Sequence, residues 1–218
     1  NTRGEVDFDI RDNDGLAPIH LAAMRSEIEL AKLVNAGADP NFLTSDSQHV
    51  LHVACRARKA SIVGQILELS KSIDLDMDQQ DWFKKTPLFY ACCSGEPESV
   101  DFLMEYGADG YHTASDGLTL LHACANVGTE QNMWNARGRR SSWLRCPEVD
   151  PLRPETSSER RDKPWYQARY STPFVTTRKE SSLAVGTIVK LLMDYGIDLT
   201  ALDRGGYTAL DSALFNNN

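Results

Sequence analysis

Apolar residues along this chain fall into short stripes separated by polar turns, and the arrangement recurs. The clearest stretch opens at a turn marked by Asp14-Gly15 and runs into an apolar segment over residues 18–25. Pro18 suits a helix start, because the first turn has no use for the N–H that proline lacks. Ser26 and Glu29 have the spacing of a capping box for a second helix. Ile28, Ala31, Leu33 and Val34 follow helical periodicity on it. Gly37 stands where a glycine ends a helix in the left-handed conformation. Residues 38–41 then form a loop into the next turn.

The layout returns downstream. Ile62, Val63, Ile66 and Leu67 give a second stripe. Pro97 opens a third, carried by Val100, Leu103 and Met104 and stopped by Gly107. Val185, Ile188, Val189 and Leu192 give a fourth, stopped by Gly196. A fifth unit begins at Gly206-Tyr207-Thr208-Ala209-Leu210-Asp211. Each unit carries one phrase: Ala17-Pro18-Ile19-His20, His49-Val50-Leu51-His52, Thr86-Pro87-Leu88-Phe89, Thr119-Leu120-Leu121-His122 and Thr208-Ala209-Leu210-Asp211. The first four copies end at 20, 52, 89 and 122, a period near 33 residues. Such a period is one supersecondary unit stacked in a line, each copy burying the apolar face of the next.

These phrases resemble the ankyrin-repeat family. The small pairs behind them (Ala22-Ala23, Ala54-Cys55, Ala91-Cys92) and the exits Gly37-Ala38-Asp39, Gly107-Ala108-Asp109 and Gly196-Ile197-Asp198 carry the same resemblance. It covers about residues 5–128 and 183–215 and departs in the second unit, which has His49-Val50 for Thr-Pro and ends at Ser72-Ile73-Asp74. The resemblance implies an all-α fold, an ankyrin-type helical solenoid of stacked antiparallel helix pairs with projecting β-turn fingers. The repeats span about 13–45, 46–80, 81–113, 114–203 and a partial 204–218. Residues 5–12 look like the exit of an earlier repeat, so the array is expected to be cut at both ends.

The fourth unit is interrupted. Residues 129–182 separate its two helices, with Gly128 closing the first and Ser182-Leu183 reopening the second. This insertion holds 11 Lys or Arg, 7 Asp or Glu and five of the nine prolines, and has no apolar periodicity. Such a composition predicts irregular or disordered chain. Three readings stay open: a tolerated surface loop; a docking or regulatory arm, with a phosphorylation site at Arg139-Arg140-Ser141-Ser142 and anchors at Trp134, Trp143, Trp165 and Tyr166; or a gene-model artefact such as translated intron.

Charge and cysteine usage narrow the function. The net charge of −8 argues against nucleic acid as partner. No stretch approaches the ~18–20 apolar residues of a membrane span. Five irregularly spaced cysteines suggest an intracellular chain, cytoplasmic or nuclear, without a disulfide framework. His49, His52 and Cys55 have a spacing that could serve zinc on one helical face. The phrase accounts for them better, since His52 matches His20 and His122, and Cys55 fills a small-residue slot. No phosphate loop or nucleophile elbow occurs. The expectation is therefore no catalytic, cofactor or metal site, and no small-molecule substrate.

What remains is recognition of another protein. In the family, contacts come from finger tips and the open, concave face of the first helices. Carried onto this sequence, the fingers offer Asn13, Asp14, Leu16, Gln48, Trp82, Phe83, Lys85, Asp116, Leu118, Arg204 and Tyr207, and the first helices Met24, Arg25, Arg56, Cys93 and Asn126. Trp82-Phe83 departs most from a usual finger, with Lys84 in place of glycine. Large rigid rings at a tip fit an interface anchor. The alternative is that they fold back onto Tyr90 or a neighbouring finger. Two functions follow: a non-catalytic protein-interaction scaffold, or the regulatory segment of a larger enzyme or channel.

Overall fold

Helix starts follow from the phrase itself. Thr86 has extended backbone, its hydroxyl accepts a 3.3 Å bond from the Phe89 N–H, and Pro87 occupies the first helical turn. The computed structural model describes residues 7–70, 75–125, 127 and 178–215. Among these it forms α1 (Pro18–Ala23), α2 (Glu27–Asn35), α3 (Val50–Arg56), α4 (Ala60–Ser70), α5 (Pro87–Ser94), α6 (Pro97–Glu105), α7 (Leu120–Ala125), α8 (Arg178–Asp194) and α9 (Ala209–Phe215), with no strand among the described residues.

The helices stack in two rows. An inner row runs α1, α3, α5, α7, α9, and an outer row runs α2, α4, α6, α8. Within a unit the two helices pack on each other, and each also packs on its counterpart in the next unit. Inner positions are therefore enclosed on several sides. All six residues Val50–Cys55 are buried, as are all six of α7. Outer helices bury only one stripe, such as Val100 and Leu103 on α6.

Five hairpins join the units and share one hydrogen-bond pattern. Their first residues are Asp12, Thr44, Asp81, Ala114 and Asp203, each five positions before its phrase. The N–H of the first residue donates to the carbonyl four on, as in Asp81 to Lys85 at 3.1 Å and Asp203 to Tyr207 at 2.9 Å. At four of the five, the side-chain oxygen of that first residue also accepts two N–H bonds; Asp81 Oδ1 takes those of Phe83 and Lys85. This side-chain mimic of a backbone turn is why Asp and Thr stand there. The fourth residue is left-handed in every finger: Gly15, Gly117 and Gly206, but Ser47 at φ 61° and Lys84 at φ 55°. That conformation costs a residue with a Cβ about 1–2 kcal/mol.

Several sequence expectations are corrected here. Ser26 is at the N-cap of α2 with no side-chain capping bond, so the capping box is not formed. On α2 Ile28 is 67% exposed and Leu30 is the buried residue. α8 begins at Arg178, four residues before the expected restart at Ser182. The second unit is tightly built: His49 Nδ1 accepts the Leu51 N–H at 3.2 Å, doing the work of the missing threonine. Gly128, residues 129–177 of the insertion, and the exit at 72–74 lie outside the described residues. Even so, α7 packs on both α8 and α9, so the repeat closes around the point of insertion.

Candidate functional site

The fingers are tied to one another as well as to their own units. The Trp82 N–H donates to the Asp46 carbonyl at 3.3 Å. The Ser115 N–H donates to the Phe83 carbonyl at 2.9 Å, and the Arg204 N–H to the Asp116 carbonyl at 3.3 Å. A backbone ladder therefore crosses the second to fifth fingers. Close approach is required for it: a Cβ on Gly117 would lie 2.8 Å from the Arg204 nitrogen.

Histidines of the phrase fasten this edge to the inner helices. His122 Nδ1 lies 2.8 Å from the Thr119 hydroxyl, and its Nε2 is 3.0 Å from the Tyr207 carbonyl of the next finger. His52 Nε2 reaches the Lys85 carbonyl at 3.2 Å, and His20 Nε2 the Phe42 carbonyl at 2.9 Å. A carbonyl only accepts, so each Nε2 carries the hydrogen. His49 Nε2 likewise meets the Asp76 carbonyl at 2.8 Å. Burial lowers the pKa of His20 to about 4 and also lowers those of His49 and His52, which holds the rings neutral. His49, His52 and Cys55 thus have their polar atoms engaged in backbone bonding or packing. No group of three metal-ligating side chains is found among the described residues.

A polar knot lies behind the second and third fingers. The Gln48 amide donates to Asp81 Oδ2 at 3.0 Å and to the Tyr90 hydroxyl at 2.9 Å, and Tyr90 donates to Asp81 Oδ2 at 2.7 Å. Burial, then the Asp81 carboxylate, pushes the Tyr90 pKa well up. Arg56 is near the same groups; burial lowers its pKa to about 9, which leaves it charged at neutral pH. The thiols are equally withdrawn. Burial raises Cys55, and raises Cys93 to about 12. Cys92 is raised first by its hydrogen bond with Cys124 and then by burial. None of these three is poised as a nucleophile.

The structure sorts the expected surface residues into three groups. Asn13, Arg25, Trp82, Arg204 and Tyr207 are exposed. Asp14, Met24, Arg56, Phe83, Lys85, Cys93, Asp116 and Leu118 are half-buried. Leu16 and Gln48, at 5% and 1% exposure, are corrected to interior positions; Gln48 is drawn in by Asp81 of the next finger and by Tyr90. Asn126 lies outside the described residues. The Trp82 ring does not fold back: it is 67% exposed. Phe83 is half-buried, and Lys85 Nζ lies 5.8 Å from its ring centroid and 5.1 Å from that of Phe89.

Two groups at this edge were missed in the sequence. Asp81 anchors both its own finger and the polar knot, and His112 Nε2 donates to the Lys84 carbonyl at 2.8 Å, bracing the tip. The fixed five-residue spacing of Asp12, Asp81 and Asp203 before the phrase was the signal for the first. His112 has no counterpart in the other units and no pattern to reveal it.

A family model described as ankyrin repeats matches residues 19–114 and 51–133. The chain is 31% identical over 126 residues to the B-cell lymphoma 3 protein homolog of Mus musculus, covering 56% of this chain and 28% of that protein. It is 26% identical over 123 residues to the human transient receptor potential cation channel subfamily A member 1, covering 56% of this chain and 11% of that protein. A probable palmitoyltransferase of Saccharomyces uvarum is 29% identical over 94 residues, with 42% and 13% covered. The chain therefore spans less than a third of each of these relatives.

Proposed function

Because the chain belongs to the ankyrin-repeat family, we propose that it is a non-catalytic scaffold that binds another protein through its finger tips and the concave face lined by its inner helices. The observation that carries this reading is the Trp82 ring, 67% exposed on a finger whose backbone is bonded to both neighbours. Solvent-exposed tryptophan on a rigid base loses little entropy on binding, which is the economy of an interface anchor. The buried histidines and thiols serve the packing of the repeats, so this reading asks no chemistry of them. Trp82→Ala is expected to abolish capture of a protein partner retained by the unmodified chain, with a thermal midpoint unchanged within about 1 °C. A partner retained by the variant would refute the finger as contact.

A second reading has support from the relatives. A cation channel and a palmitoyltransferase match over only 11% and 13% of their own lengths. The same surface would then serve as a regulatory segment of a larger protein. The full open reading frame decides between the two. An intracellular location remains part of the proposal; among the described residues no helix is long and apolar enough to cross a membrane.

A further inference from the structure

Three departures from the other fingers fall within the third one. Trp82 stands where the other tips carry polar or small residues. Lys84 is exposed and left-handed at φ 55°, at a position that is glycine in three of the five fingers. Lys85 is half-buried with its ammonium against the Phe83 and Phe89 rings. A lysine held in that backbone conformation is disfavoured, and its side chain makes no hydrogen bond or ion pair among the described contacts. Strain kept at one exposed residue is a pointer to use.

The local charge has the opposite sign to that of the chain. The net charge is −8. At the third tip, however, the nearest acids are turned inward: Asp46 and Asp81 are 4% exposed, with Asp81 committed to Gln48, Tyr90 and its own turn. Asp116, on the next finger, is half-buried, with Oδ1 at 3.4 Å from the Leu118 N–H. What faces solvent is an indole and an ammonium two residues apart, with Lys85 behind them. His112 bonds the Lys84 carbonyl at 2.8 Å, which braces the backbone that carries the pair.

We propose that the third finger docks an acidic-apolar peptide segment of a partner protein, its carboxylates meeting Lys84 and Lys85 and an apolar side chain packing on Trp82. This rests on the reading of the finger edge as a protein-binding surface. It also runs against the choice that net charge alone favours, a basic partner. Long-range attraction follows net charge, but contact specificity follows the groups at the interface.

The test uses the full chain and a random 12-residue peptide library displayed on phage. Selected peptides are expected to be enriched in Asp or Glu beside Phe, Leu or Trp. Lys84→Gln keeps the backbone position and removes the charge, and should weaken a selected peptide by about fivefold or more, while Lys84→Arg restores it. Lys84→Gly should weaken binding as much and yet raise the thermal midpoint by roughly 2–4 °C, because the left-handed strain is removed. Enrichment of Lys- or Arg-rich peptides, or equal binding by Lys84→Gln, would overturn the acidic assignment alone. Peptides unaffected by Trp82→Ala would overturn the finger-edge reading beneath it.

Discussion

Inner and outer helices of the same repeat are built under different constraints. Along α5 the buried residues are Pro87, Leu88, Phe89, Ala91, Cys92 and Ser94; along α6, its partner in the same unit, they are Ser99, Val100 and Leu103. An inner helix within the stack, such as α5, is enclosed by its partner and by the inner helices of both neighbours. An outer helix has one side left to water. The inner row consequently tolerates small residues and satisfied polar groups but no free charge. The outer row needs only its stripe, and carries charge elsewhere. The contact surface proposed above lies where the inner row meets the fingers.

The largest expected effect tests this contrast directly. Leu88 is fully buried and Ile28 is 67% exposed, although each lies in an apolar pattern. Leu88→Ala should cost about 3–5 kcal/mol by urea denaturation, and Ile28→Ala less than about 0.5 kcal/mol. Comparable losses would contradict the placement of Ile28 on the water-facing side of the outer row.

Acid should strike the inner row next. His20 is buried and neutral, with a folded pKa of about 4 against 6.5 when exposed. The unfolded chain takes up its proton first as pH falls. Stability is therefore full above pH 6.5 and declines as pH falls toward 4, by about 3 kcal/mol from His20 alone. His49 and His52 shift in the same direction. Urea midpoints at pH 7.5 and pH 5 measure the decline. An unchanged midpoint would contradict the neutral, buried assignment.

His122 links the fourth unit to the fifth. Removing its ring in His122→Ala should cost about 2 kcal/mol, because the Thr119 N–H and the Tyr207 carbonyl lose their partner. Hydrogen exchange should accelerate over residues 203–214 before the centre of the stack responds. Uniform acceleration would show that the fifth unit does not depend on this link.

Much of this contrast was legible in the chain. The repeated phrase placed each inner helix, and glycines at 37, 107 and 196 placed outer ends. Other features were beyond reach for physical reasons. Ile28 and Leu30 are two residues apart, about 200° around a helix, so only one can face inward. A nine-residue helix has too few turns for periodicity to choose, and packing of α2 on α4 decides for Leu30. The first turn of α8, at Arg178-Lys179-Glu180-Ser181, is polar throughout and gives no apolar signal. For the candidate site, the departure at Trp82 was visible, but the burial of Leu16 and Gln48 was not. Gln48 is drawn in by Asp81 and Tyr90, partners 33 and 42 residues away in the chain.

The smallest predicted effect separates strain kept for use from strain merely tolerated. Ser47 and Lys84 occupy the same place in successive fingers, at φ 61° and 55°. Gly15, Gly117 and Gly206 show that the fold accepts glycine there. Ser47→Gly should therefore stabilise the chain by about 1 kcal/mol, the balance between relieved left-handed strain and a more flexible unfolded chain. Ser47 has no ring or charge to present, so binding through the third finger should be unchanged. Calorimetry and peptide affinity on the one variant give both readings. A loss of affinity with Ser47→Gly would show that partners engage the second finger as well, and the contact surface would have to be extended along the edge toward Asn13.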